Sequence, residues 1–122
     1  VEGNYQQPAG RAGALALLAL PNPPSAIFAS NDVMAFGAMD AIRNVGLRIP
    51  QDVSVLGFDD VPQAAGVSPA LTTVHQPLHE MGRQAVQMLL ACIDDPGRPF
   101  EYRELATKLV LRNSCQPIAP AG

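Results

Sequence analysis

The chain has 122 residues, of which 48% are apolar and 16% charged, with a net charge of −3. This length bounds it to one domain, rich enough in apolar residues to build a core. No Lys/Arg cluster gives it an electrostatic footprint for nucleic acid, and no apolar run approaches a membrane span. Val1 in place of an initiator Met points to a fragment or a processed chain. Cys92 and Cys115 fit no metal spacing and are too few for a disulfide framework, so a reducing, cytoplasmic location is expected, with Cys92 as a small core residue.

In chain order, Glu2 to Tyr5 reads as a strand end turning into a loop. Pro8 fits the first turn of a helix that Arg11 to Leu20 continues, with Leu15, Leu18 and Ala14 toward a sheet. Pro21-Asn22-Pro23-Pro24 stops it. Ala26 to Ala29 is the short apolar run of a strand covered on both faces. Asp32 is placed to N-cap a helix from about Val33 to Val45, which Gly46 ends. Val53 to Gly57 is the next strand, and two strands joined by a crossover helix pair in parallel. In the helix, Met34, Ala38, Ala41, Ile42 and Val45 form the core face, whereas Phe36 and Met39 point elsewhere and give a second apolar patch.

Val61 to Pro69 reads as a loop or short helix, and Leu71 to Val74 as a β-branched strand. Leu78 to Ile93 is an amphipathic helix with Leu78, Met81, Ala85, Met88, Leu89 and Cys92 on one side. Leu105 to Leu111 reads as a last strand, and the tail from Gln116 as loose.

In open α/β sheets, ligands bind beyond the carboxyl ends of the strands. Asn31-Asp32 and Asp59-Asp60 fall at two such ends, and Gln76 at a third. Carboxylates and amides there suit a hydroxylated or heterocyclic small molecule. Capping and turn formation are the favoured roles for Asp32 and Asp60; for Asn31 and Asp59, ligand binding and a structural role both stay open. Tyr5 lies just before a helix start on the same side, where its ring stacks on a ligand or packs on its own loop. His75 and His79 are separated by Pro77 and lack a completing ligand set, so no metal site is expected.

The segments PSAIFASNDVMAFGAM, GLRIPQDVSVLGFDD, PALTTVHQP, EMGRQA and LVLRNS, in this order, resemble the LacI-type bacterial transcription regulators from Glu2 to Cys115. The resemblance implies an α/β, periplasmic-binding-protein-like type I fold, with a parallel sheet flanked by helices. It implies that residues 1–76 belong to the C-terminal lobe, that 77–105 cross to an N-terminal lobe outside this chain, that 106–115 return as a strand, and that 116–122 form the tail. Tyr5 would stack on the effector, Asn31 and Asp59 would hydrogen-bond it, and Gln76 would line the cleft near the lobe crossover. Phe36, with Met39 beside it, would lie on a dimerisation helix. The expected partners are a small-molecule effector (a sugar, a nucleoside or a purine), a second copy in a homodimer or higher oligomer, and operator DNA through a headpiece outside the chain, with no cofactor and no membrane. The alternatives are a periplasmic solute-binding protein of a sugar transporter, which shares the fold, and an enzyme using Asp59 or Asp32 as acid or base, for which no nucleophile–base pair accompanies them.

Overall fold

A computed structural model describes residues 1–117. The elements in order are α1 (Gln7–Leu18), β1 (Ala26–Phe28), α2 (Asp32–Asn44), β2 (Ser54–Asp59), α3 (Gln63–Gly66), β3 (Thr72–His75), α4 (Leu78–Asp94) and β4 (Lys108–Val110). They build one sheet in the order β1-β2-β3-β4, with the first three strands parallel and β4 antiparallel to β3. The reversed last strand has a simple cause. The chain leaves the sheet at His75 and comes back at Lys108, which pairs with His75 itself. A strand that re-enters where its neighbour exits must run the other way.

The core lies between α2 and the sheet. Ile27 and Val55 face it from paired positions of β1 and β2, with Ala35, Ala38, Met39, Ala41 and Ile42 from α2 and Leu71 at the entry to β3. Helix α1 packs on α2 rather than on a free sheet face. Gly10 and Gly37 allow this close approach, because a Cβ on Gly37 would lie 2.0 Å from the carbonyl oxygen of Gln7. Ala14 is therefore buried, with Leu17 and Leu18 packed partly against the core, while Leu15 is exposed, contrary to the expectation that it faces the sheet. The helix also stops at Leu18, short of Leu20.

Further expectations are corrected. Asn31, not Asp32, caps α2: its side-chain oxygen accepts the N–H of Met34 at 2.8 Å. Val45 is exposed, while Met39 is 1% exposed and belongs to the core. The reason is that α2 is covered from more than one direction: Ala64 of α3 joins the core cluster and Val67 packs against it, so the face carrying Met39 is used inside the chain. Finally, β4 covers three residues rather than seven, and no strand forms before Tyr5.

After β4 the chain still fastens to the sheet. Ser114 Oγ receives the N–H of Thr72 at 2.8 Å and donates to the carbonyl of Val55 at 2.5 Å. Gln116, expected in a loose tail, is held through Ser54 and Gln51; residues 118–122 of that tail lie outside the described residues.

Helix α4 differs from the others in having no buried residue. Leu78, Met81, Val86, Leu89, Leu90 and Ile93 are all exposed, and so is Cys92, which was expected in a core.

Candidate functional site

The carboxyl ends of β1, β2 and β3 lie along one edge of the sheet, as parallel pairing requires. At the end of β2 the backbone turns through two non-glycine residues with positive φ, Asp59 at 115° and Asp60 at 60°. This turn directs Asp59 toward the residue after β3, and Gln76 Nε2 donates to Asp59 Oδ1 at 2.7 Å. Both side chains are half-buried. Asn31, after β1, is used twice over: it caps α2 and donates from Nδ2 to the carbonyl of Tyr5 at 3.0 Å. That bond places Tyr5, itself at φ 63°, against the same edge with its side chain in solvent, 68% exposed. Of the four residues expected to bind a ligand, Asp59 and Gln76 touch directly, and Asn31 is joined to Tyr5 through the latter's backbone.

A polar layer lies under this edge. Asp32 is fully buried and accepts from the N–H of Val61 at 2.9 Å and from Thr73 Oγ1 at 2.5 Å. Burial pushes its carboxyl above the ordinary value of 3.8, opposed first by the Thr73 hydroxyl and then by the Val61 N–H; the nearby Asp59 charge pushes the same way as burial. Asp60 does more than form a turn. Arg112 Nη2 donates to its Oδ1 at 2.7 Å, and His75 Nδ1 lies 3.0 Å from its Oδ2. The Arg112 guanidinium holds the Asp60 carboxyl below the usual range. Arg112 also donates to the Leu71 carbonyl at 2.9 Å, so one arginine just after β4 joins the end of β2 to the entry of β3. Sequence reasoning left out Thr73 and Arg112. A β-branched strand residue and an arginine past a final strand give no local sign that aspartates 41 and 52 residues away need them.

The arrangement is a row of hydrogen-bonding groups with capacity left over. A carboxylate has about four lone-pair sites, and an amide has two donor hydrogens and two acceptor sites. Asp59 uses one oxygen on Gln76; Asn31 and Gln76 each keep a donor hydrogen. With an exposed aromatic ring beside them, these groups match the edges and flat faces of a small hydroxylated ring.

The family described as a periplasmic binding protein-like domain matches residues 2–115. The chain belongs to this family. Its relatives place it among the LacI-type members. The probable HTH-type transcriptional repressor ExuR of Bacillus subtilis (strain 168) is 43% identical over 114 residues, covering 93% of this chain and 34% of ExuR. A LacI family transcriptional regulator from Enterococcus faecalis V583, solved with bound ribose, is 32% identical with a TM-score of 0.89, covering 98% of this chain and 44% of that one. Another from Arthrobacter sp. FB24, in complex with lactose, is 33% identical with a TM-score of 0.80, covering 93% and 43%. The chain thus spans about a third of the length of the curated relatives it matches.

The rest of this LacI-type chain is easily placed. Phe36 is partly buried and lines a shallow groove with Gln7, Met39, Asp40, Arg43, Gln63 and Val67. His75 turns to Asp60, and His79 lies in the first turn of α4. Among the described residues no group of three or more His, Cys, Asp or Glu is arranged to hold a metal ion, and no helix is long and apolar enough to cross a membrane.

Proposed function

We propose that this chain supplies the C-terminal part of the effector site of a LacI-type transcriptional regulator, and that the effector is a saccharide. Asp59 and Gln76 accept from and donate to its hydroxyls, Asn31 adds its free amide hydrogen, and Tyr5 stacks on the ring. The observation that carries the reading is the Asp59–Gln76 contact at 2.7 Å on the carboxyl edge of a parallel sheet, the edge at which such sheets bind ligands. Sugars are favoured over nucleosides and purines because two LacI-type neighbours were solved with ribose and with lactose.

In this reading residues 1–76 form the C-terminal lobe, 77–105 cross to a second lobe and 106–115 return. The uncovered apolar face of α4 supports that division. The effector favours one arrangement of the lobes, and a homodimer carries the difference to operator DNA through a headpiece outside these residues. The groove beside Phe36 belongs to that dimer surface; Met39, being buried, contributes to its backing and not to its contact face. A cytoplasmic protein without catalytic activity goes with this role.

The test is calorimetric titration of the complete natural protein with D-ribose, lactose and hypoxanthine. We expect a saccharide to bind, and Asp59→Ala to weaken it by about tenfold or more, the scale of a lost hydrogen bond to a charged group. Binding of hypoxanthine alone would move the effector to the purines. Undiminished saccharide affinity in Asp59→Ala would remove Asp59 from the site.

A further inference from the structure

Asp32 serves a region well beyond the helix it begins. It is 0% exposed, and a buried carboxylate persists only where hydrogen bonds replace its water. Its partners do not come from α2, whose first turn is capped by Asn31. They come from the loop after β2, through the N–H of Val61, and from β3, through the Thr73 hydroxyl. The strand between them makes room. At Gly57 of β2 an added Cβ would lie 2.2 Å from Asp32 Oδ1 and 2.9 Å from Leu71 Cδ2, so β2 passes directly against the carboxylate.

These partners flank the ligand-recognising pair on both sides. Val61 lies two residues after Asp59, and Thr73 lies three residues before Gln76. Asp59 and Asp60 hold positive φ without being glycines, a conformation that lasts only where neighbouring structure fixes it. The bond that Asp32 accepts from the Val61 N–H, two residues after Asp59, provides that fixation, and the bond it accepts from the Thr73 hydroxyl ties the same carboxylate to the strand that delivers Gln76.

We propose that Asp32 is a positioning residue for effector recognition: it clamps the loop after Asp59 to β3 and so sets the Asp59–Gln76 pair at its 2.7 Å separation. This rests on the reading of Asp59 and Gln76 as effector-recognising residues. It assigns to a fully buried side chain the control of a geometry that two half-buried ones present.

The experiment is to crystallise the complete natural protein, without ligand, as Thr73→Val, Thr73→Ser and Asp32→Asn, and to record a melting temperature for each. In Thr73→Val and Asp32→Asn we expect Asp59 to leave its positive φ and the Asp59–Gln76 separation to open beyond about 3.5 Å, outside hydrogen-bond range. Thr73→Ser keeps the hydroxyl and is expected to keep the 2.7 Å contact. A residue that only supports the fold would lower the melting temperature while leaving that pair in place; an unchanged φ and distance in Thr73→Val would therefore overturn the proposal. Should Asp32→Asn fail to fold, Thr73→Val decides alone, since it removes one hydroxyl and leaves the carboxylate. No ligand enters this readout, so a failure of the saccharide reading and a failure of the clamp are told apart.

Discussion

Asp32 and Asp60 sit in neighbouring hydrogen-bond networks but respond to pH with opposite sign. Asp60 is held below 3.8, chiefly by Arg112. Its folded-state pKa is depressed, so the stability it contributes is fully present above the unfolded value and is lost as pH falls through the folded one. Asp32 is raised above 3.8, chiefly by burial. The folded state holds that proton to higher pH than the unfolded chain does, so stability declines as pH rises from 3.8 through the folded value. We expect Arg112→Gln to isolate the first effect. In urea unfolding between about pH 5 and pH 3, the variant should be less stable than the parent at the upper end and should lose less on acidification. Parallel curves for the two proteins would mean that Arg112 does not set the Asp60 pKa. At this scale the sequence was half legible. Pairs of polar residues at strand ends marked Asn31, Asp59 and Gln76 by position alone, whereas the division of labour within Asn31-Asp32 was not readable. Both residues are good N-caps, and the choice is made by Thr73 and Val61, which draw Asp32 inward.

Helix α2 shows where periodicity stops being informative. Its spacing located the helix to within a residue at each end, and Ala38, Ala41 and Ile42 were expected in the core and lie there. Met39 was assigned with Phe36 to a second, outer apolar patch because only one face of the helix was given to the core. In fact α2 is packed on the sheet and, along another face, on α1, a contact possible only because neither helix has a side chain at the crossing. Small residues at Gly10 and Gly37 are visible in a sequence, but which two meet is a tertiary fact. A prediction follows for Gly37→Ala. On helix propensity alone it should stabilise by about 1 kcal/mol. Here the new Cβ would lie 2.0 Å from the Gln7 carbonyl oxygen and 2.8 Å from the Arg11 nitrogen, both backbone atoms that cannot swing aside. Overpacking of this kind costs about 1–3 kcal/mol, so the net change should be destabilising, read as a lower urea midpoint. A raised midpoint would show that α1 can move off α2 at little cost.

Across the whole molecule, packing is unevenly distributed. From α1 to β3 the chain is folded around one core, and the segment after β4 is laced back onto β2 and β3 through Ser114. Helix α4 has seventeen residues and an apolar face as pronounced as any in the sequence, yet none of them is buried. An isolated helix of this length is marginal in water, because most helical stability in proteins comes from packing of the apolar face. The ion pair of Arg83 with Glu80 within the first turns adds little, being exposed. In the 122-residue chain the amide hydrogens of α4 should therefore exchange with solvent at least about tenfold faster than those of α2, whose inner residues are almost wholly buried. Hydrogen exchange followed by mass spectrometry resolves the two segments. In the complete natural protein, where a second lobe is proposed to cover α4, the same peptides should become protected while those of α2 change little. Fast exchange of α4 in both forms would mean that its apolar face stays uncovered, and the assignment of residues 77–105 as the crossing to a second lobe would fail with it.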